Sequence, residues 1–200
     1  MSHYFETPTG PVRTRTVSAR VFGRDVEFTT AGGVFSGDGL DHATAVLLRS
    51  APAPTGTVRL LDLGCGWGPI AVGLALACPD ATVDAVDVNE VALQLTRDNA
   101  VAAGVGSRVR TGTPEQVLAD EPTYDQIWSN PPIRIGKDAL HALLATWLPR
   151  LAPDGIAWLV VGKNLGADSL QCWLVDQGWP CERVASAKGF RVLQVRPRTS

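Results

Sequence analysis

Leu60-Leu61-Asp62-Leu63-Gly64-Cys65-Gly66-Trp67-Gly68-Pro69 is the stretch that organises the rest of the chain. The apolar run from Val58 to Leu63 predicts a buried parallel strand. Glycines at 64, 66 and 68 follow, and Pro69 stands at a tolerated first-turn position before a helical run, Ile70 to Ala77. Glycine lets the backbone bend sharply and lets a ligand approach the main chain. The helix start behind offers unpaired N–H groups and a partial positive charge. Together these outline a nucleotide-cofactor site.

The spacing discriminates between cofactors. The dinucleotide fingerprint G-x-G-x-x-G/A wants a small residue where this chain has Pro69, and the pattern here is G-x-G-x-G. Asp62, just before the glycines, would repel a pyrophosphate but can face a cationic amino group. Asp87, at the end of the next strand candidate (82–87), can accept both hydroxyls of a ribose. A cationic amino acid joined to adenosine satisfies both acids, and S-adenosylmethionine is that molecule. Asp62 and Pro69 disfavour a nicotinamide-dependent oxidoreductase. Cys65 reads as a small side chain in the loop, whereas Trp67 either walls the cofactor or caps the sheet.

Before this stretch, Val17, Ala19 and Val21 alternate with polar neighbours, Gly23-Arg24 can turn, and Val26 and Phe28 resume the alternation. That is a hairpin pattern. Arg13, Arg15, Arg20 and Arg24 outnumber Glu6, Asp25 and Glu27 around it. A solvated edge hairpin is the simpler reading, and a basic surface for RNA phosphates is the functional one. A glycine-rich connection, Phe35 to Leu40, leads to a helical run from Asp41 to Arg49.

Beyond it the chain alternates: strand 82–87, helix 90–103, strand 108–111, helix 114–119, strand 125–129, helix 138–149, strand 155–162, helix 167–177, then strands 182–187 and 190–196 as an antiparallel pair. Strands alternating with helices predict an α/β fold, a mostly parallel sheet with helices on both faces. Ligands in such sheets bind at the carboxyl ends of the strands, where Asp62, Asp87, Thr111–Thr113 and Asn130 fall.

Bulk properties agree with this reading. The 200 residues, 45% hydrophobic and 19% charged, suit one globular domain over 1–200, with 1–33 as a hairpin extension and 34–200 as the cofactor-binding and catalytic fold. A net charge of −2 neither announces nor excludes a nucleic-acid partner, since a local patch can supply phosphate contacts. Four cysteines (65, 78, 172, 181) show no metal-ligand spacing and read as reduced packing residues. No apolar run reaches membrane-span length and Met1-Ser2-His3-Tyr4 is no signal peptide, so a cytoplasmic protein without metal or membrane attachment is expected.

Ser129-Asn130-Pro131-Pro132-Ile133, after a strand and behind the cofactor loop, reads either as an ordinary turn or as an acceptor site for the group to be methylated. Transfer of a methyl group to an exocyclic amine needs orientation and stabilisation of developing positive charge more than a strong base. The Asn130 side-chain oxygen and the Pro131 carbonyl can accept the two N–H bonds of such an amine, and two prolines preset the loop. Ile133 offers an apolar face without a π system. Arg134 and Lys137 follow at once and read either as a charged helix start on the surface or as contacts to phosphate or a base carbonyl.

Leu60 to Gly68, Ala85-Val86-Asp87 and the N-P-P segment resemble the motifs of class I methyltransferases. Gly33-Val34-Phe35-Ser36, Leu40-Asp41, Asn130-Pro131-Pro132-Ile133-Arg134, His3-Tyr4-Phe5 and Gly189-Phe190-Arg191-Val192-Leu193 are similar to the small-subunit ribosomal RNA guanine-N(2) methyltransferases and their single-domain archaeal relatives. The resemblance implies a Rossmann-like seven-stranded sheet with an antiparallel last strand. It implies cofactor contacts from Phe35, Asp62, Gly64, Cys65, Gly66, Trp67, Gly68, Asp87, Val88, Gly112, Thr113 and Asn130, and catalytic roles for Asn130, Pro131, Pro132 and Ile133. It also implies substrate contacts from Arg134 and Lys137, with small-subunit rRNA or its particle as partner. Thr113 departs from the acid or amide that many relatives place near adenine. Transfer to tRNA, an adenine amine or a protein glutamine keeps the same chemistry. A module that binds cofactor and RNA without transfer is the rival from another class.

Overall fold

The structure is a computed structural model that describes residues 13–34, 39–132 and 135–198. The readings placed on His3, Tyr4, Phe5, Phe35, Ser36, Ile133 and Arg134 lie outside the described residues. In chain order the elements are β1 (Thr14–Val21), β2 (Arg24–Ala31), α1 (His42–Ser50), β3 (Arg59–Leu63), α2 (Pro69–Ala77), β4 (Thr82–Val86), α3 (Glu90–Ala102) and β5 (Val109–Gly112). There follow α4 (Pro114–Leu118), β6 (Tyr124–Ser129), α5 (Lys137–Trp147), β7 (Leu151–Gly162), α6 (Ala167–Asp176), β8 (Cys181–Ala187) and β9 (Phe190–Val195).

β3 to β9 form one seven-stranded sheet in the order β5-β4-β3-β6-β7-β9-β8. Every pairing from β5 to β7 is parallel, and β9 runs antiparallel to both neighbours. This is the Rossmann-like sheet expected. The order reverses between β3 and β6, so their carboxyl ends flank the crevice where open α/β sheets bind ligands. α1, α2 and α3 cover one face through Leu47, Ile70, Leu74 and Leu95. α4, α5 and α6 cover the other through Val117, Leu144, Leu170 and Leu174.

β1 and β2 form a separate two-stranded sheet, so the hairpin is no edge of the central sheet. Its turn is Phe22-Gly23, with φ of 44° and 79°, one residue earlier than Gly23-Arg24. Val21 and Phe28 are buried in the first core. The hairpin lies so close to α2 that a Cβ at Gly73 would stand 3.0 Å from the Val21 Cβ. Phe28 meets Trp67 edge-on at 5.0 Å and Phe22 meets Trp128 at 5.7 Å. The alternation that made a hairpin legible thus serves to cover helices. The outer face opposes Arg20 to Asp25 and Ser18 to Glu27, which leaves that face no basic excess.

Two boundaries also differ from expectation. β7 begins at Leu151 rather than 155, because Leu151 pairs with Tyr124 before a bulge and the strand re-engages at Ile156 with Gln126. Gly155 permits the bulge: a Cβ there would stand 3.0 Å from Ala152 O and 3.1 Å from Tyr124 O. α5 ends at Trp147 and passes into a 3-10 turn, Leu148–Arg150. Among the described residues no helix is long and apolar enough to cross a membrane.

Candidate active site

β3 delivers Asp62 into the protein interior with no exposed surface. Its Oδ2 accepts from the Ala71 N–H at 2.9 Å, fixing it to the first turn of α2. Its Oδ1 has no hydrogen-bond partner. Burial pushes the carboxyl up to about 8 against the opposing Ala71 bond, and the Asp87 charge adds to the rise. A buried carboxylate oxygen without a donor is costly unless a ligand supplies one.

The glycine loop folds over the end of β4, where the Gly64 and Cys65 N–H groups donate to Val86 O at 2.8 and 3.0 Å. Gly68 closes the loop in the left-handed region, φ 89°, and a Cβ there would stand 2.9 Å from Thr96 Cγ2 and Oγ1. Position 68 must therefore be glycine on both counts. Thr96 Oγ1 donates to Gly66 O at 3.0 Å. Asn99, one turn on, donates to Trp67 O and Thr29 O at 2.8 Å and accepts from the Thr29 N–H at 2.7 Å. α3 thus clamps the loop and the hairpin together. Trp67 is 1% exposed, its ring edge-on to Phe28 of the hairpin, and it also lines the crevice.

Asp87 takes the Gly66 N–H at 3.0 Å on Oδ2 and the Asn89 N–H at 3.0 Å on Oδ1. The carboxylate keeps acceptor capacity for a hydroxyl donor. Burial raises its pKa above the ordinary value, offset in part by these backbone bonds. Val88 beside it is 53% exposed, an apolar surface open to a planar ring. Thr113, expected near the adenine, caps a helix. Its hydroxyl accepts from Gln116 N and its own N–H donates to Gln116 Oε1, a capping box that starts α4. Gly112 packs under Val117.

On the opposite side of the crevice, Ser129 Oγ donates to Leu63 O at 2.7 Å and zips β6 to β3. Asn130 follows. Its Nδ2 donates to Asp41 Oδ2 at 2.9 Å and to Thr44 Oγ1 at 3.1 Å. An ionised carboxylate only accepts, so Asp41 fixes which end of the amide faces it and leaves Asn130 Oδ1 as the acceptor. Asp41, Thr44, the loop residues 64–67, Pro69, Ile70 and Asn130 line one crevice. Asp41, which the sequence offers at a helix start and within the Leu40-Asp41 resemblance, and Thr44, which the sequence does not single out, thus join the crevice. Thr96 and Asn99, polar residues one turn apart on a buried helix face, were missed altogether. Lys137 is carried away from the crevice by the start of α5 and lines a neighbouring groove with His141 and Ser169.

The comparisons agree with this geometry. The model of the methyltransferase small domain matches residues 25–194, and the chain belongs to that family. Its cofactor is S-adenosylmethionine, and the orphaned Asp62 Oδ1 with the two-oxygen Asp87 fits that molecule's ammonium and ribose. The chain is similar to the uncharacterized protein YbxB of Bacillus subtilis, 31% identical over 97% of each chain. It is also similar to ribosomal RNA small subunit methyltransferase C of Acinetobacter baumannii, 33% identical over 90% of this chain and 53% of that one. Among solved structures, the T. thermophilus 16S rRNA N2 G1207 methyltransferase (RsmC) in complex with AdoMet and guanosine matches with a TM-score of 0.81 and 26% identity, over 96% of this chain and 52% of that one. The chain therefore spans about half the length of the named methyltransferases it matches.

Proposed function

We propose that this chain methylates RNA on the exocyclic amine of a guanine, in small-subunit rRNA. The observation that carries the reading is Asn130, held by Asp41 and Thr44 in the crevice that the glycine loop 64–67 also lines. Bound S-adenosylmethionine supplies an electrophilic methyl group on a sulfonium. Asn130 Oδ1 and the Pro131 carbonyl would accept hydrogen bonds from the two amine N–H groups, aim the nitrogen lone pair, and stabilise the positive charge that grows there. As the N–C bond forms the S–CH3 bond breaks, the sulfur leaves as a neutral thioether, and one amine proton passes to solvent. Asp62 holds the cofactor ammonium and Asp87 the ribose. The target base must be unstacked to reach these acceptors, which suits a loop or end of RNA. Two of the similar proteins are rRNA methyltransferases, and one structure holds guanosine with AdoMet; both support this acceptor.

The test is transfer of radiolabelled methyl to separated acceptors from cells lacking this gene: deproteinised rRNA, small subunits, bulk tRNA and total protein, each digested to its modified component. Label in rRNA as guanine methylated on its exocyclic amine is expected. Asn130→Ala should abolish this label while cofactor affinity stays within about threefold, since its partners lie on the acceptor side. Label confined to tRNA or protein would overturn the target. No label despite tight cofactor binding would replace the enzyme with a binding module.

A further inference from the structure

The chain has 15 arginines but only three lysines, Lys137, Lys163 and Lys188. The fold gathers all three at one edge. Lys137 is the first residue of α5 after the N-P-P loop, Lys163 follows the last residue of β7, and Lys188 sits in the turn between β8 and β9. The Lys163 N–H donates to Gly189 O at 2.8 Å, tying the second position to the third. All three side chains are exposed, and none has an ion-pair partner among the described residues. By contrast, several arginines serve structure: Arg59 pairs with Asp84 at 2.8 Å, Arg110 with Asp120 at 2.6 Å, and Arg191 with Asp168. Of the acids near the rim, Asp168 is thus paired and Asp138 follows Lys137.

Lys188 is held at φ 50° ahead of Gly189 at φ 80° in a two-residue hairpin turn. Asparagine or glycine is the low-strain choice at its position, and a long side chain there costs about 1 kcal/mol. Between the α5 and α6 amino ends lies a groove of about 220 Å³ lined by Lys137, His141, Leu165, Ser169 and Leu170. Leu165 is 58% exposed at its mouth, and His141 stacks on Trp173 at 3.8 Å in its wall. A row of unpaired cations beside an apolar slot of this size matches single-stranded nucleic acid, whose phosphates take the charges and whose bases take the apolar surface.

We infer that this rim binds the single-stranded RNA flanking the target base, with phosphates on Lys137, Lys163 and Lys188 and a neighbouring base in the α5–α6 groove. This rests on the RNA methyltransferase reading and adds the surface that delivers the strand. The outer face of the hairpin, where Arg20 opposes Asp25 and Ser18 opposes Glu27, has no such excess.

The experiment follows fluorescence anisotropy of a labelled single-stranded RNA about 12 nucleotides long, titrated at several salt concentrations. The proteins are the full chain, Lys137→Gln, Lys163→Gln, Lys188→Asn, the triple variant, and Arg150→Gln at the amino end of β7. Each lysine lost should flatten the slope of log affinity against log salt by about 0.7, so the triple variant loses about two units and about 100-fold in affinity near 0.1 M salt. Arg150→Gln and the cofactor titrations should match the parent. A triple variant with the parental slope, or an Arg150→Gln loss equal to it, overturns the rim. A parent that methylates RNA alongside an unaffected triple variant sinks this inference alone. A parent that neither binds nor methylates RNA sinks the proposed function as well.

Discussion

Asn130 and Asp41 are 89 residues apart in the chain and joined by one hydrogen bond of 2.9 Å. The same Asp41 oxygen accepts from the Ala43 and Thr44 N–H groups and starts α1. One carboxylate therefore caps a helix and orients the residue proposed to receive the substrate amine. Asp41→Ala should cost about 1 to 2 kcal/mol of stability through the lost cap. It should also lower kcat by about 100-fold through the freed Asn130, because small misplacements at a reacting centre have effects of that order. Urea denaturation and steady-state kinetics read the two separately. Asp41→Asn retains an acceptor for all three donors and should recover most of both losses. A stability loss with parental kcat would show that Asn130 needs no such orientation.

Asp62 makes cofactor binding depend on pH. Its carboxyl titrates at about 8 in the ligand-free protein, and the cofactor's α-ammonium at about 8 in water. Their ion pair carries one proton where the separate groups carry two at low pH and none at high pH. Affinity should therefore peak near about pH 8 and be about tenfold weaker at pH 6.5. Calorimetry in buffers of different ionisation enthalpy should find a proton released at pH 6.5. Stability follows from the same shift. A carboxyl whose folded-state pKa is raised holds its proton more tightly when folded, so its contribution is greatest below the ordinary value of 3.8 and is lost as pH rises to about 8. The loss approaches 1.4 kcal/mol per pH unit between those limits. Asp62→Asn should remove both dependences, and an unchanged acid-side fall in affinity would assign the titration to another group.

Asn99 should behave as the latch between hairpin and cofactor loop. Asn99→Ala strips partners from Trp67 O and from both Thr29 backbone groups in a buried setting, a loss of about 2 to 4 kcal/mol. Hydrogen exchange should quicken first in β2 and at residues 66–68. Uniform acceleration across the sheet instead would mean that Asn99 acts on global stability alone.

The parts of this molecule legible in sequence are those set by local periodicity. Val58 to Leu63, the glycines and Pro69 announce strand, turn and helix because each property acts within a few residues. Pairings across the chain leave no local trace. Asn99 meets Thr29 at a separation of 70 residues, and nothing near Asp41 points to Asn130. Thr113 is a different case. Thr113-Pro114-Glu115-Gln116 carries the T-x-x-Q signature of a capping box, so the competing use of its hydroxyl was written in the sequence. Lys137 lies close to the N-P-P loop in sequence, but a helix start intervenes and turns it into the next groove.

The gathering of three lysines on one edge has a practical consequence for handling the protein. Amine-directed reagents have no other side-chain target in this chain. Acylating dyes, lysine cross-linkers and amine-coupled sensor surfaces will all attach along the edge beside the N-P-P loop, apart from any reaction at the chain's α-amino group. Immobilised in that way, the molecule would be held by the edge that follows the N-P-P loop. Activity measured on such a surface would report the attachment before it reported the enzyme.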